Sequence, residues 1–175
     1  IHPNRPDSLP VSCFNTARMD FLFSKSAFLK RKAFFDCVSG GSLYKYRANS
    51  SSKASFSKGG KWQLVYENAL TVKEKAEILA AFRKSFADIH YSSPKKAYGK
   101  VIEDRESQIT FSALGQRAPL DKKKEWNTNT DIRFQLRGAL KKYLPDFEIR
   151  LGGLTSMDVT KKGIDKAYGI MQIMK

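Results

Sequence analysis

From residue 61 onward the apolar positions fall into steps of two or steps of three and four, and the elements can be read from the change of step. Lys61 to Tyr66 (KWQLVY) has the make-up of a strand. Thr71-Val72-Lys73-Glu74 is a capping box: Thr71 can accept from an orphan backbone N–H, and Glu74 can reach back. Val72, Ala76, Leu79, Phe82, Phe86 and Ile89 then recur at helical steps and predict an amphipathic helix to about residue 89. Tyr98 to Glu103 and Gln108 to Leu114 read as two strands joined by a polar turn. In the second, Ile109, Phe111 and Ala113 alternate with Thr110 and Ser112, which predicts a half-buried strand with one polar face. Pro119 and the run Lys122-Lys123-Lys124 lead to a second helix from near Thr130. Its stripe is Ile132, Leu136, Leu140 and Tyr143, and it stops before Pro145. Phe147, Ile149 and Leu151 alternate with Glu148 and Arg150. After the Gly152-Gly153 turn, Met157 and Val159 alternate with Ser156 and Asp158. Gly163 opens a last helix with Lys166 near its N-terminus.

Hairpin-joined strands with helices between the pairs predict an α/β chain containing an antiparallel sheet covered on one face by two helices. The other face carries Thr110, Ser112, Ser156 and Asp158. Such a face serves either as a solvent face or as a lid over a polar ligand, and the pattern leaves both open. Upstream, Phe34 to Tyr46 holds a short strand-like run and a turn at Ser39 to Gly41, followed by Leu43, Tyr44 and Tyr46. Residues 48–60 are Ser-rich and of low complexity, as flexible loops are. Residues 1–33 are rich in Pro, Ser and Asn, then patchily apolar, and give no firm element. The chain opens on Ile1 rather than Met, so a piece was removed upstream or the sequence starts within a longer protein. Residues 1–35 hold Arg and Ser with few acids, as transit peptides do. Their apolar residues keep no common helical face, so a cytoplasmic protein is expected.

A net charge of +15 points to an anionic partner or to a plain Lys-rich surface. The cations are spread along the chain, with only Lys30-Arg31-Lys32 and Lys122-Lys123-Lys124 as short runs. Tyr44, Tyr46, Trp62 and Tyr66 are interleaved with Lys45, Arg47 and Lys61, a mixture that can stack nucleic-acid bases. Strand alternation explains the same residues as packing, and nucleic acid is not the expected partner. No apolar stretch approaches the roughly 20 residues of a membrane span, so no membrane partner is expected. Cys13, Cys37, His2 and His90 form no Cys-x-x-Cys or His-x-x-x-His pattern. That argues against zinc and for a reducing compartment, while leaving a Cys13–Cys37 disulfide open.

Two stretches, Ile102 to Gln116 (IEDRESQITFSALGQ) and Gly152 to Ile170 (GGLTSMDVTKKGIDKAYGI), together resemble the haloacid dehalogenase (HAD) superfamily. The likeness is to its members with a large α/β cap inserted after the third core strand, and within these to the eukaryotic-type phosphomannomutases and related bacterial hydrolases. It covers residues 34–175 and is strongest from 97. The resemblance implies a poorly defined N-terminal segment with a partial core remnant (1–58), an α+β cap (59–160), and a return into an incomplete Rossmann-like core (161–175). It implies a phosphorylated sugar as ligand, held by Ser156 and Asp158, and Lys166 as the core lysine that offsets repulsion between an anionic nucleophile and a phosphate. The mutases carry an arginine that holds the substrate's phosphate where Gln116 stands, with Arg117 next to it, so the resemblance adds Gln116 and Arg117 to the substrate-binding candidates. A one-residue shift reverses the face in a strand but is harmless in a loop, so phosphatase and mutase activity both stay open.

The resemblance also implies magnesium and a nucleophile in an Asp-x-Asp stretch. No Asp-x-Asp occurs in the sequence, and Asp20 and Asp36 are single carboxylates. Acidic magnesium ligands are expected after a further core strand, which is not reached by Lys175. Ser12 and Ser39 are the only candidates for a core hydroxyl motif. The expectation is therefore a partial sugar-phosphate phosphotransferase or phosphatase, inactive alone, with no metal ligands of its own. The alternatives are a non-catalytic sugar-phosphate-binding cap and a basic nucleic-acid-binding protein.

Overall fold

In the computed structural model, described over residues 34–37, 40–47, 61–128 and 131–174, seven strands and four helices are seen. The readings made above on residues 1–33, on Ser39 and on the Ser-rich stretch 48–60 lie outside the described residues. Helices and antiparallel strands are mixed, giving an α/β chain with two sheets, and no parallel strand pair occurs among the described residues. The chain divides into two units, residues 1–68 with 165–175, and residues 69–164.

The first unit contains a three-stranded meander of Phe34–Cys37 (β1), Ser42–Arg47 (β2) and Lys61–Glu67 (β3). The strand at residue 61 pairs with the hairpin before it, Tyr46 opposite Trp62 and Arg47 opposite Lys61, and not with the downstream sheet. Tyr44 is buried. Tyr66 donates to the Gly40 carbonyl at 3.0 Å and meets Tyr168 edge-on at 5.7 Å. These two aromatics are thus engaged within the fold.

Gly40 adopts φ +88°, a left-handed conformation that costs an L side chain energy. A Cβ there would also overlap the backbone carbonyl oxygen of Asp165. Asp165 caps the last helix of the chain, its carboxylate accepting from the Tyr168 N–H at 2.7 Å. The approach of that cap to the Gly40 turn thus requires a glycine.

The second unit is built on Ile102–Asp104 (β4), Gln108–Ser112 (β5), Phe147–Gly152 (β6) and Ser156–Lys161 (β7), in the order β4-β5-β7-β6 and antiparallel throughout. Helices Val72–Asp88 (α1) and Asp131–Tyr143 (α3) pack on one face of it. Ile78, Phe82, Leu136 and Leu140 meet Ile109, Phe111, Met157, Val159 and Ile149 in one buried cluster. Each such side chain contributes roughly 1.5–3 kcal/mol through burial.

The α1 stripe is Ile78, Ala81, Phe82 and Ser85, and it starts later than the sequence suggests: Val72 is 86% exposed. The first turn is fixed by polar contacts instead. The capping box forms on both sides, Glu74 N–H to Thr71 Oγ1 at 3.2 Å and Thr71 N–H to Glu74 Oε2 at 2.6 Å. Glu74 also meets Lys161 Nζ at 3.3 Å, at the end of β7. The Thr71 N–H, more than any other contact, holds the Glu74 carboxyl below the usual carboxylate range.

The lysine run is itself a helix, Leu120–Asn127 (α2), which the sequence pattern does not reveal. It buries none of its residues, so it carries no apolar stripe to be read. Pro119 precedes it, and Lys122 pairs with Glu125 at 2.9 Å.

Two outcomes are expected. Gly40→Ala should lower unfolding free energy by roughly 2 kcal/mol or more in urea titrations, because strain and overlap act together. Tyr91 packs on Phe86 at 5.0 Å with a buried hydroxyl that has no partner among the described residues, and burial pushes its pKa up to about 12. The folded state then holds the proton more tightly than the unfolded one, so stability is full below about pH 10 and falls as pH rises from there toward 12. Tyr91→Phe should abolish that fall and raise stability near neutrality by up to about 1 kcal/mol, read from thermal melts at several pH values.

Candidate functional site

Strand alternation sends every second residue of the four-stranded sheet away from the helices. Register then lines these residues up in rows across the strands. Glu103 stands opposite Thr110, Thr110 opposite Asp158, and Asp158 opposite Arg150. On one side of this row Ser112 faces Ser156, which faces Gly152; on the other, Gln108 faces Thr160, which faces Glu148.

This polar face is not the open surface that the alternation suggests. Gln108, Thr110 and Ser112 are all buried, and every residue of β5 is buried on both faces. The strand lies between β4 and β7, so its polar side chains are flanked on both sides. They are hydrogen-bonded accordingly. Gln108 Nε2 donates to Thr110 Oγ1 at 2.7 Å, and the Thr110 hydroxyl donates to Asp158 Oδ1 at 2.8 Å. The hydroxyls of Ser112 and Thr155 are 3.5 Å apart.

Ser156 and Asp158 are brought together around Gly152. A Cβ on that glycine would lie 3.1 Å from Asp158 Oδ2 and 3.7 Å from the Ser156 Cβ. Both residues are half-buried, more accessible than their β5 neighbours. The turn between β6 and β7 is anchored from outside the sheet: buried Arg133 of α3 donates to the Gly153 carbonyl at 3.0 Å and to Asn127 Oδ1 at 2.7 Å. Sequence reasoning missed Arg133, because a cation on an apolar helical stripe reads as a surface residue until its carbonyl partner is known.

Gln116 and Arg117 lie in a turn beyond β5, not in a strand, so their order sets no sheet face. The turn leaves β5 at the end where Ser112 faces Ser156, and Ala113 N–H donates to the Thr155 carbonyl at 3.1 Å. Gln116 is half-buried, and its Nε2 has no partner among the described residues. Arg117 is exposed, and its stem would meet a Cβ at Gly99 at 3.6 Å. Lys123 of α2 reaches the Gln116 carbonyl at 3.3 Å. It thereby sets an ammonium beside Gln116, a cation the sequence hid inside a run of three.

Lys166 is the first residue of Lys166–Ile173 (α4), directly after the Asp165 cap, and is exposed. It belongs to the first unit, whereas Ser156, Asp158, Gln116 and Arg117 belong to the second. Among the described residues no three His, Cys, Asp or Glu side chains gather in a way that could hold a metal ion. The described residues do not fit the magnesium that the resemblance implies. No described helix is long and apolar enough to cross a membrane.

The Gly152 contact yields a test. Gly152→Ala should press on the Asp158 carboxylate and lower the melting temperature by a few degrees, read from thermal melts beside the unaltered chain.

No curated protein matches the chain. The family model described as eukaryotic phosphomannomutase matches residues 43–175, well over half of the chain and across both units. The chain therefore belongs to the eukaryotic phosphomannomutase family of the HAD superfamily, whose members act on phosphorylated sugars.

Proposed function

We propose that this chain supplies the sugar-phosphate recognition of a phosphomannomutase-type phosphotransferase or phosphatase, through a cap built on the four-stranded sheet of the second unit. The observation that carries this is the pairing of Ser156 and Asp158 around Gly152, on the sheet face that α1 and α3 leave to polar residues. An ionised carboxylate accepts two sugar hydroxyls through charge-assisted bonds. The serine adds a group that can both donate and accept. Gln116, Arg117 and Lys123 sit beyond the adjoining end of β5, where amide and cationic donors suit a phosphate.

Lys166 has the chemistry for the transfer itself. An anionic nucleophile and a phosphate repel each other, and a fixed ammonium lowers that barrier. The exposed side chain leads a helix, with its backbone held by the Asp165 cap. The sequence contains no Asp-x-Asp pair, so the covalent step is not assigned to residues of this chain.

Asp158→Ala should weaken mannose 1-phosphate binding about tenfold or more while leaving the melting temperature within a few degrees of wild type. Parallel losses of affinity and stability would mark Asp158 as structural instead. In a protein that also carries the Asp-x-Asp segment, Lys166→Ala should lower kcat by about 100-fold or more. Undiminished turnover in that variant would remove Lys166 from the site.

A further inference from the structure

We propose that Gln108 and Thr110 are positioning residues for Asp158, acting through a buried hydrogen-bond chain that fixes the orientation of its carboxylate. This rests on the reading of Asp158 as a sugar ligand. The chain runs from Gln108 Nε2 to Thr110 Oγ1 at 2.7 Å, and from Thr110 Oγ1 to Asp158 Oδ1 at 2.8 Å. Its direction is set by chemistry. An amide nitrogen only donates, and an ionised carboxylate only accepts. The one hydroxyl hydrogen of Thr110 is therefore committed to Asp158, and the hydroxyl lone pairs are left for Gln108.

Burial separates the roles of the three residues. Gln108 and Thr110 are each only 2% exposed, so neither reaches a ligand directly. Asp158 is half-buried and is the residue of the chain that can. Gln108 Oε1 is buried without a partner among the described residues, a cost the fold carries. Turning the amide over would place its oxygen against Thr110 and draw the hydroxyl hydrogen away from Asp158. It would also leave the two N–H groups of the amide, rather than one oxygen, to be satisfied.

The other carboxylate oxygen is also confined by shape. Oδ2 lies over Gly152, where a Cβ would come within 3.1 Å. One oxygen is tied and the other slotted, which limits Asp158 to a narrow range of rotamers. Arg150 is the charged residue opposite in register. A carboxylate held this way loses less freedom on binding a sugar than one on an open strand. It also presents its lone pairs in one direction, so that it selects among hydroxyl arrangements.

Calorimetric titration of the whole chain with mannose 1-phosphate tests this, with melting temperature as the folding control. Thr110→Val is expected to weaken binding about tenfold and Gln108→Leu about threefold, whereas Thr110→Ser, which keeps the hydroxyl, stays within about twofold of wild type. Asp158→Asn should weaken binding more than either. Wild-type affinity in Thr110→Val beside a large loss in Asp158→Asn overturns the positioning role and leaves the sugar-ligand reading intact. Equal losses in Thr110→Ser and Thr110→Val overturn it as well, since only packing would then matter. Wild-type affinity in Asp158→Asn, or no binding by the wild-type chain at millimolar ligand, overturns the reading of Asp158 and the proposal with it. If Thr110→Val does not fold, Gln108→Leu decides: weakened binding supports the chain and unchanged binding overturns it.

Discussion

Strand β7 is hydrogen-bonded to β5 on one side and β6 on the other, and what the second unit presents depends on that double register. Side chains alternate with a period of two, so a slip of one residue would send Asp158 and Ser156 into the helix-covered core and bring Met157 and Val159 out. The core is what forbids the slip. Met157 and Val159 are fully buried beside Phe111, Ile109 and Phe82, and their burial weighs against any other register. The apolar face thus holds the polar face in place, although no apolar residue belongs to the candidate site.

The same division governs how the polar face is supported. Thr110 and Gln108 sit on the most buried strand of the sheet and satisfy part of their hydrogen bonding with one another and with Asp158. Buried polar groups that find partners cost little, and those that do not cost the fold stability. Around the rim, backbone carbonyls take that part: Arg133 holds Gly153, Arg137 donates to the Ile149 carbonyl at 3.0 Å, and Lys123 reaches that of Gln116. Three cations from two helices fix the turns and strands that carry the candidate ligands. Part of the positive charge of the chain is thereby engaged in the fold itself, which net charge alone does not reveal.

Glycines permit close approaches in each unit. Gly40 admits the Asp165 cap and so the start of α4, where Lys166 lies. Gly152 admits the Asp158 carboxylate. In each case the absence of a Cβ, and not a contact, is the contribution.

Much of this was legible along the chain. The two amphipathic helices, the alternating strands and the capping box at Thr71 are local patterns, and local sterics and hydrogen bonding are enough to produce them. The two stretches Ile102 to Gln116 and Gly152 to Ile170 together pointed to the family. What the sequence could not supply is everything that depends on which strands become neighbours. It placed Lys61–Tyr66 in order before α1, but only pairing with β2 put that strand in the first sheet. It read β5 as half-exposed, because alternation reports two faces and not whether a strand is central. It passed over α2, because a helix without a buried stripe leaves no hydrophobic period. Thr110 and Asp158 are 48 residues apart, and their hydrogen bond exists only because β5 and β7 lie side by side. Local chemistry was written in the sequence; which groups meet was decided by the register of the sheet, since burial of the apolar face is a property of the whole assembly and not of any one strand.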